Sequence, residues 1–265
     1  MKKNIICLVL LVLTICTAVF YRQYKNNIED PYPPVFSCDE PTITASVSVT
    51  EEDLLREVTA YDKVSGDVSD TIVIEEISNF IAENQRIVTY AAIDDRLNVA
   101  RFERTLIYTD YEPPTFSLSA PLCYPEGSRI NVLNGVRANS TLDGDLTARV
   151  RYGLDNLIDN MTPGTYPVEY RVTDSCGKTS YLNTEIMIYD SKYTGIDVKL
   201  TKYLTYLSQG QTFVEDAYFK SSSEEGTLTI DADNVDTSVP GTYYADYIVT
   251  TDTAAGRTRM IVVVE

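Results

Sequence analysis

Apolar and polar residues alternate along most of this chain with the period of two expected of half-buried strands. In "VEYRVTD" Val168, Tyr170 and Val172 fall on one face, while Glu169, Arg171 and Thr173 fall on the other. "TLIYTD" at 105–110, "EIMIYD" at 185–190 and "RMIVVVE" at 259–265 are further strands rich in Ile, Val, Thr and Tyr. Outside the first two dozen residues no stretch keeps a helical period over three turns. Gly, Pro, Asn and Asp interrupt the runs at short intervals, so the pattern predicts an all-β fold.

The N-terminus reads differently. Lys2 and Lys3 precede the uncharged "NIICLVLLVLTICTAVFY" at 4–21, and Arg22 and Lys25 close it. A spanning helix needs roughly 17 to 25 residues, so this segment is expected to be a transmembrane signal anchor. Its short basic end, 1–3, is assigned to the cytoplasm and everything after Arg22 to the outside. The alternative is a signal peptide that is removed, giving a secreted chain. A cut after Ala18 would put Cys16 at a position that prefers a smaller residue, and Ile15 is too bulky for a lipoprotein box. Residues 22–32 are polar and carry Pro31, as a spacer would.

The remainder divides by three. "PPVFS" at 33–37 recurs as "PPTFS" at 113–117, and the same shift carries Tyr90 onto Tyr170 and Asp94 onto Asp174. "PGTYPVEYRVTDSCGKTS" at 163–180 recurs as "PGTYYADYIVTTDTAAGRTR" at 240–259. Such a period is that of a domain array, with units at 33–110, 111–190 and 191–265 forming three lobes in series. Pro163 and Gly164 are expected to form a type II turn in which Gly takes positive φ, with Asn84 at the matching place in the first unit.

Composition narrows the chemistry. The chain carries 39 acidic and 22 basic side chains, a formal charge of −17, and neither His nor Trp. Without His, Ser-His and Cys-His nucleophiles and His-based zinc sites are excluded. The acidic balance argues against nucleic acid as a partner. A catalytic signature normally occurs once, whereas a copied structural unit repeats its turns, so no enzyme is expected. Asp143 and Asp145 are the one obvious carboxylate pair, and Asp-Gly-Asp at a turn is more often local backbone hydrogen bonding.

The order "GVRANSTLDGDLTARVRYG", "MTPGTYPVEYRVTDSCGKTS", "IMIYD" between Gly135 and Asp190 resembles the bacterial Ig-like domain named after its occurrence in a pesticidal crystal protein, a relative of hyalin-repeat and cadherin-like sandwiches. The first unit keeps "VTAYDKVSGDVSDTI" and "VTYAAIDD" but lacks Pro-Gly-Thr-Tyr. The third keeps "VPGTYYADYIV" but has "SSSEEGT" in place of the Asp-Gly-Asp turn. The resemblance implies three tandem Ig-like β-sandwich domains after the transmembrane helix, and it implies no catalytic residues.

Two sites follow from that resemblance. An Ig-like order puts Cys176 in the turn before the last strand and Cys123 where the first strand switches sheets to run beside it, so the two either form a disulfide or remain thiols. It also gathers Glu112, Asp143, Asp145 and Asp174 at one end of the second unit. This is either a calcium site, the one cofactor expected, or a set of solvated turn caps. Glu224, Glu225, Asp252 and Asp190 imitate it loosely in the third unit. The function expected is that of a membrane-anchored bacterial surface protein, a non-catalytic stalk or adhesion module. Its partner would be a surface protein or a cell-wall or glycan ligand. The alternative, a carbohydrate-binding module, draws on the 20 Tyr residues.

Overall fold

A computed structural model describes residues 10–25 and 30–265, together with the course of helix α1 (Lys2–Ile28). Among the described residues no helix is long and apolar enough to cross a membrane. Residues 1–3 and residues 4–9 of the expected 4–21 span lie outside the described residues. Helical backbone continues past Arg22 to Ile28, so the first part of the expected spacer is helix. Within α1 the polar side chains are satisfied locally: the Thr14 hydroxyl donates to Leu11 O at 2.8 Å and that of Thr17 to Leu13 O at 3.0 Å.

The chain divides into two compact units, Met1–Asp110 and Tyr111–Glu265. In the first, β1 (Val35–Cys38), β2 (Thr42–Ala45), β3 (Val58–Asp62), β4 (Gly66–Asp67), β5 (Val73–Ile77), β6 (Gln85–Ile93) and β7 (Val99–Tyr108) form two sheets. One has the order β1-β3-β4 and the other β2-β7-β6-β5. All pairs are antiparallel except β2 with β7, which is parallel. A short helix, α2 (Glu51–Leu55), interrupts the strands. Thr50 caps it, since the Thr50 hydroxyl accepts from Asp53 N and the Asp53 carboxylate accepts from Thr50 N.

The second unit holds two further copies of this arrangement. β8 (Thr115–Leu118), β9 (Cys123–Pro125), β10 (Val136–Ser140), β11 (Gly144–Asp145), β12 (Arg151–Leu154), β13 (Gly164–Thr173) and β14 (Thr179–Tyr189) give sheets β11-β10-β8 and β12-β13-β14-β9. β15 (Val198–Leu200), β16 (Leu204–Leu207), β17 (Phe219–Ser222), β18 (Thr227–Asp231), β19 (Gly241–Thr250) and β20 (Ala255–Val264) give sheets β15-β17 and β16-β20-β19-β18. Again β9 runs parallel to β14, and β16 to β20.

The period-two pattern sets the cores. Val88, Tyr90 and Ala92 point inward from β6, Val168, Tyr170 and Val172 from β13, and Ala245, Tyr247 and Val249 from β19. The three tyrosines are fully buried, and a buried phenol requires an acceptor. Each donates to a backbone carbonyl far away in sequence: Tyr90 to Leu54 O, Tyr170 to Val132 O and Tyr247 to Glu215 O. One repeated residue thereby pins the segment that crosses from sheet to sheet in every copy.

Two expectations change. Copies two and three are not separate lobes: Phe116, Ile186, Ile196 and Val262 belong to one continuous core. Arg259 on β20 is bonded to Glu185 on β14 at 2.9 Å and lies over the Tyr244 ring, and Thr242 donates to Asn183 O. The Pro-Gly turn also differs. Asn84 does take positive φ, 55°, but Gly164 and Gly241 are absent from the left-handed region. Both instead open a strand, pairing with Ile188 and Val264. A Cβ at Gly241 would meet the Tyr243 ring two residues on at 3.5 Å, an ordinary van der Waals contact.

Candidate functional site

The expected calcium residues lie at one end of the second unit but do not assemble. Asp143, in the β10–β11 turn, reaches the β13–β14 turn, where its Oδ2 accepts from Ser175 N at 2.7 Å. Asp174 is buried, its Oδ1 accepting from Cys176 N and Lys178 N and its Oδ2 from the Tyr111 hydroxyl at 2.6 Å. Asp145 caps the next turn through Thr147 N and its side chain, which hold its carboxyl below the usual range. Glu112 meets Thr141 through its backbone. Each of the three Asp carboxylates accepts from a donor of the protein. In the third copy Thr251 takes the capping place in the last turn, and Asp190 pairs with Lys192 at 3.3 Å.

Among the described residues, the acidic side chains that do bring three ligand atoms together are Asp30, Asp62 and Asp94, in the first unit. The sequence reading missed Asp30 because it sits in the stretch read as spacer. Asp62 ends β3 and Asp94 follows β6 directly. The Asp62 Oδ1 accepts from Val64 N and Ser65 N at 2.7 and 2.6 Å. The Asp94 Oδ1 accepts from Arg96 N and Asn98 N, and its Oδ2 from the Asn98 side chain. The same Asn98 amide donates to Asp30 O at 2.8 Å, which ties the entering chain to the last turn.

Burial would push the Asp94 carboxyl up, yet the Asn98 and Arg96 donors hold it below the usual carboxylate range. For Asp62 the backbone donor at Ser65 leads the causes that lower it. The 80-residue shift set Asp94 on Asp174 but gave no sign of Asp30 or Asp62.

The cysteine expectation is corrected. Cys123 and Cys176 are both buried and are not bonded to each other. Cys123 lies opposite Met187 near the end of β14, whereas Cys176 precedes the start of that strand at Thr179. At about 3.3 Å per residue they are separated by ~25 Å along the sheet, far beyond disulfide reach. Burial pushes the Cys123 thiol up to about 11.

Another feature of the second unit is a cleft of about 550 Å³ lined by Glu112, Pro113, Phe116, Tyr181, Tyr206 and Glu265, among others. Tyr181 is exposed there, and burial pushes the Tyr206 hydroxyl up to about 12.

No protein-family model and no curated protein matches the sequence. Among solved structures, the chain is similar to the M60 catalytic domain with CBM51-1 and CBM51-2 of Clostridium perfringens ZmpB, at 10% identity and a TM-score of 0.27, covering 87% of this chain and 42% of that one. It is similar to the Protocadherin GammaB4 extracellular domain at 12% identity and a TM-score of 0.23, covering 88% and 49%. For the CBM51-2 structure of ZmpB in complex with GlcNAc and INT domains the values are 13%, 0.23, 88% and 42%. The chain thus spans less than half the length of these proteins, and scores this low carry no argument about what it binds.

Proposed function

We propose that this chain is a non-catalytic binding or spacer protein of the bacterial surface, built of tandem Ig-like sandwiches and held at the membrane by its N-terminal helix. The observation that carries this reading is the use made of the repeated residues. Tyr90, Tyr170 and Tyr247 are spent on pinning crossover segments, and the repeated Pro-Gly-Thr-Tyr starts a strand, so what was copied is architecture. Anchoring is supported by the uncharged, mostly apolar composition of 4–21 and by hydroxyls in α1 that are satisfied within the helix. The test is fractionation of cells expressing the tagged full chain. The chain should remain in carbonate-washed membranes with its sandwiches open to added protease. A soluble product beginning near residue 19 would establish the secreted alternative, and a cytosolic product would defeat both.

The carbohydrate reading has one observation of its own, the cleft that presents Tyr181 beside two carboxylates. Rings offer sugars a stacking face, and acidic groups offer acceptors to their hydroxyls. Retention on a glycan array, lost in Tyr181→Ala, would favour it. Capture of a surface protein by cross-linking, unaffected by that substitution, would favour adhesion.

A further inference from the structure

We propose that Asp30, Asp62 and Asp94 form a divalent cation site, suited to calcium, that fastens the chain entering the first sandwich to two of its turns. The inference is independent of the adhesion reading. Each residue offers one oxygen, and the three oxygens lie within 4.8 Å of one another. A single calcium with oxygens at about 2.3–2.6 Å spans that separation. Asp62 and Asp94 are only 2% and 4% exposed, and the ion pairs seen among the described residues join other side chains. Buried charges are ordinarily paired or coordinate a metal.

A second observation separates this group from a set of turn caps. The Oδ2 atom of Asp30 is sealed from solvent and has no hydrogen-bond partner. Asp62 gives its Oδ1 to two backbone donors, Val64 N and Ser65 N. Turn capping therefore accounts for Oδ1 of Asp62 and, through Tyr32 N, for Oδ1 of Asp30, and leaves the sealed Oδ2 of Asp30 unexplained. A cation supplies what that atom lacks.

The second copy provides an internal control. Ser140 stands where Asp62 does, accepting from Leu142 N and Asp143 N. Asp174 stands where Asp94 does, and its second oxygen takes a proton donor, Tyr111. There one carboxylate faces a hydroxyl donor and needs no ion, whereas the first copy sets three carboxylates together. An oxygen-only set with this much charge selects a hard cation. Calcium tolerates irregular geometry, while magnesium demands a near-ideal octahedron.

The test is calorimetric titration of the full chain in detergent micelles with calcium chloride at neutral pH. Near-physiological salt screens diffuse attraction to the acidic surface. One saturable site is expected. Asp30→Asn alters the segment ahead of β1 and no strand, so the variant should keep its circular dichroism while its affinity falls about tenfold or more. Asp143→Asn with Asp145→Asn should bind as the parent does. No saturable heat, or an unchanged affinity in folded Asp30→Asn, overturns the site. Loss in the Asp143/Asp145 variant instead would move the ion to the second copy and also overturn it, and tighter magnesium than calcium would refute the choice of ion.

Discussion

Glycine illustrates how one residue type meets opposite demands here. At Gly256 on β20 a Cβ would lie 2.0 Å from the Ile196 carbonyl oxygen, and Gly195 and Ile196 both donate to Ala255 O. Backbone cannot withdraw as a flexible side chain can. Gly256→Ala should therefore destabilise the second unit by about 3 kcal/mol, read as a lowered urea midpoint at constant slope. Gly164→Ala should change stability by less than about 1 kcal/mol, because a Cβ there meets only the Tyr166 ring at 4.0 Å. A large loss at Gly164 and none at Gly256 would reverse both assignments. Asp246 presents another residue-scale case. Burial would raise its carboxyl, but hydrogen bonds and charge from Arg259 and Arg257, at 2.7 and 2.6 Å, hold it below the ordinary value. Asp246→Asn leaves two half-buried guanidinium groups short of their partner and should cost about 3 kcal/mol; a loss under half of that would show that Glu185 suffices.

Among elements, the paired long strands were legible and the short ones were not. β6 and β7, β13 and β14, and β19 and β20 carry nine to eleven residues of alternation each, enough for the period of two to declare itself. The first strand of each copy splits into two pieces of three or four residues that sit in different sheets. So short a run fits either period. Helix α2 has five residues and escaped for the same reason, although Thr50 and Asp53 had the spacing of a capping box. Thr50→Ala should lower the stability of the first unit by about 1 kcal/mol, and hydrogen exchange should show faster opening of the Leu54 amide than of β6. The Asp30 group was illegible because its members come from a pre-strand segment and two turns, and only the closed sandwich makes them neighbours. The Tyr111–Asp174 bond was hidden likewise: nothing in "YTDYEPP" marks one tyrosine as the donor that replaces an ion.

For the molecule, charge and core make separate statements. With no His in the sequence, no side chain of ordinary pKa titrates between about pH 5 and 8, so the midpoint of thermal unfolding should be flat there. A carboxylate whose folded pKa is depressed, such as Asp246, contributes fully above its unfolded value of about 3.9 and loses that contribution as pH falls through the folded value. Stability of the second unit should thus decline on the acid side below about pH 4, and less steeply in Asp246→Asn. Because copies two and three share one core, the slowest amides of β13 and β19 should exchange through a single opening with equal free energy. Two distinct values would mean that the cores only touch.

The parallel pairing in each copy has a mechanical consequence. Each β2–β7, β9–β14 and β16–β20 pair joins a strand near the copy's beginning to the strand at its end. A pull on the two ends of a copy drags these neighbours in opposite directions along their length, so their hydrogen bonds are strained together instead of opening one after another. A chain built this way resists tension where it enters and leaves each copy. The middle copy, with three such pairs of residues against four in its neighbours, is where a rising force would first find slack.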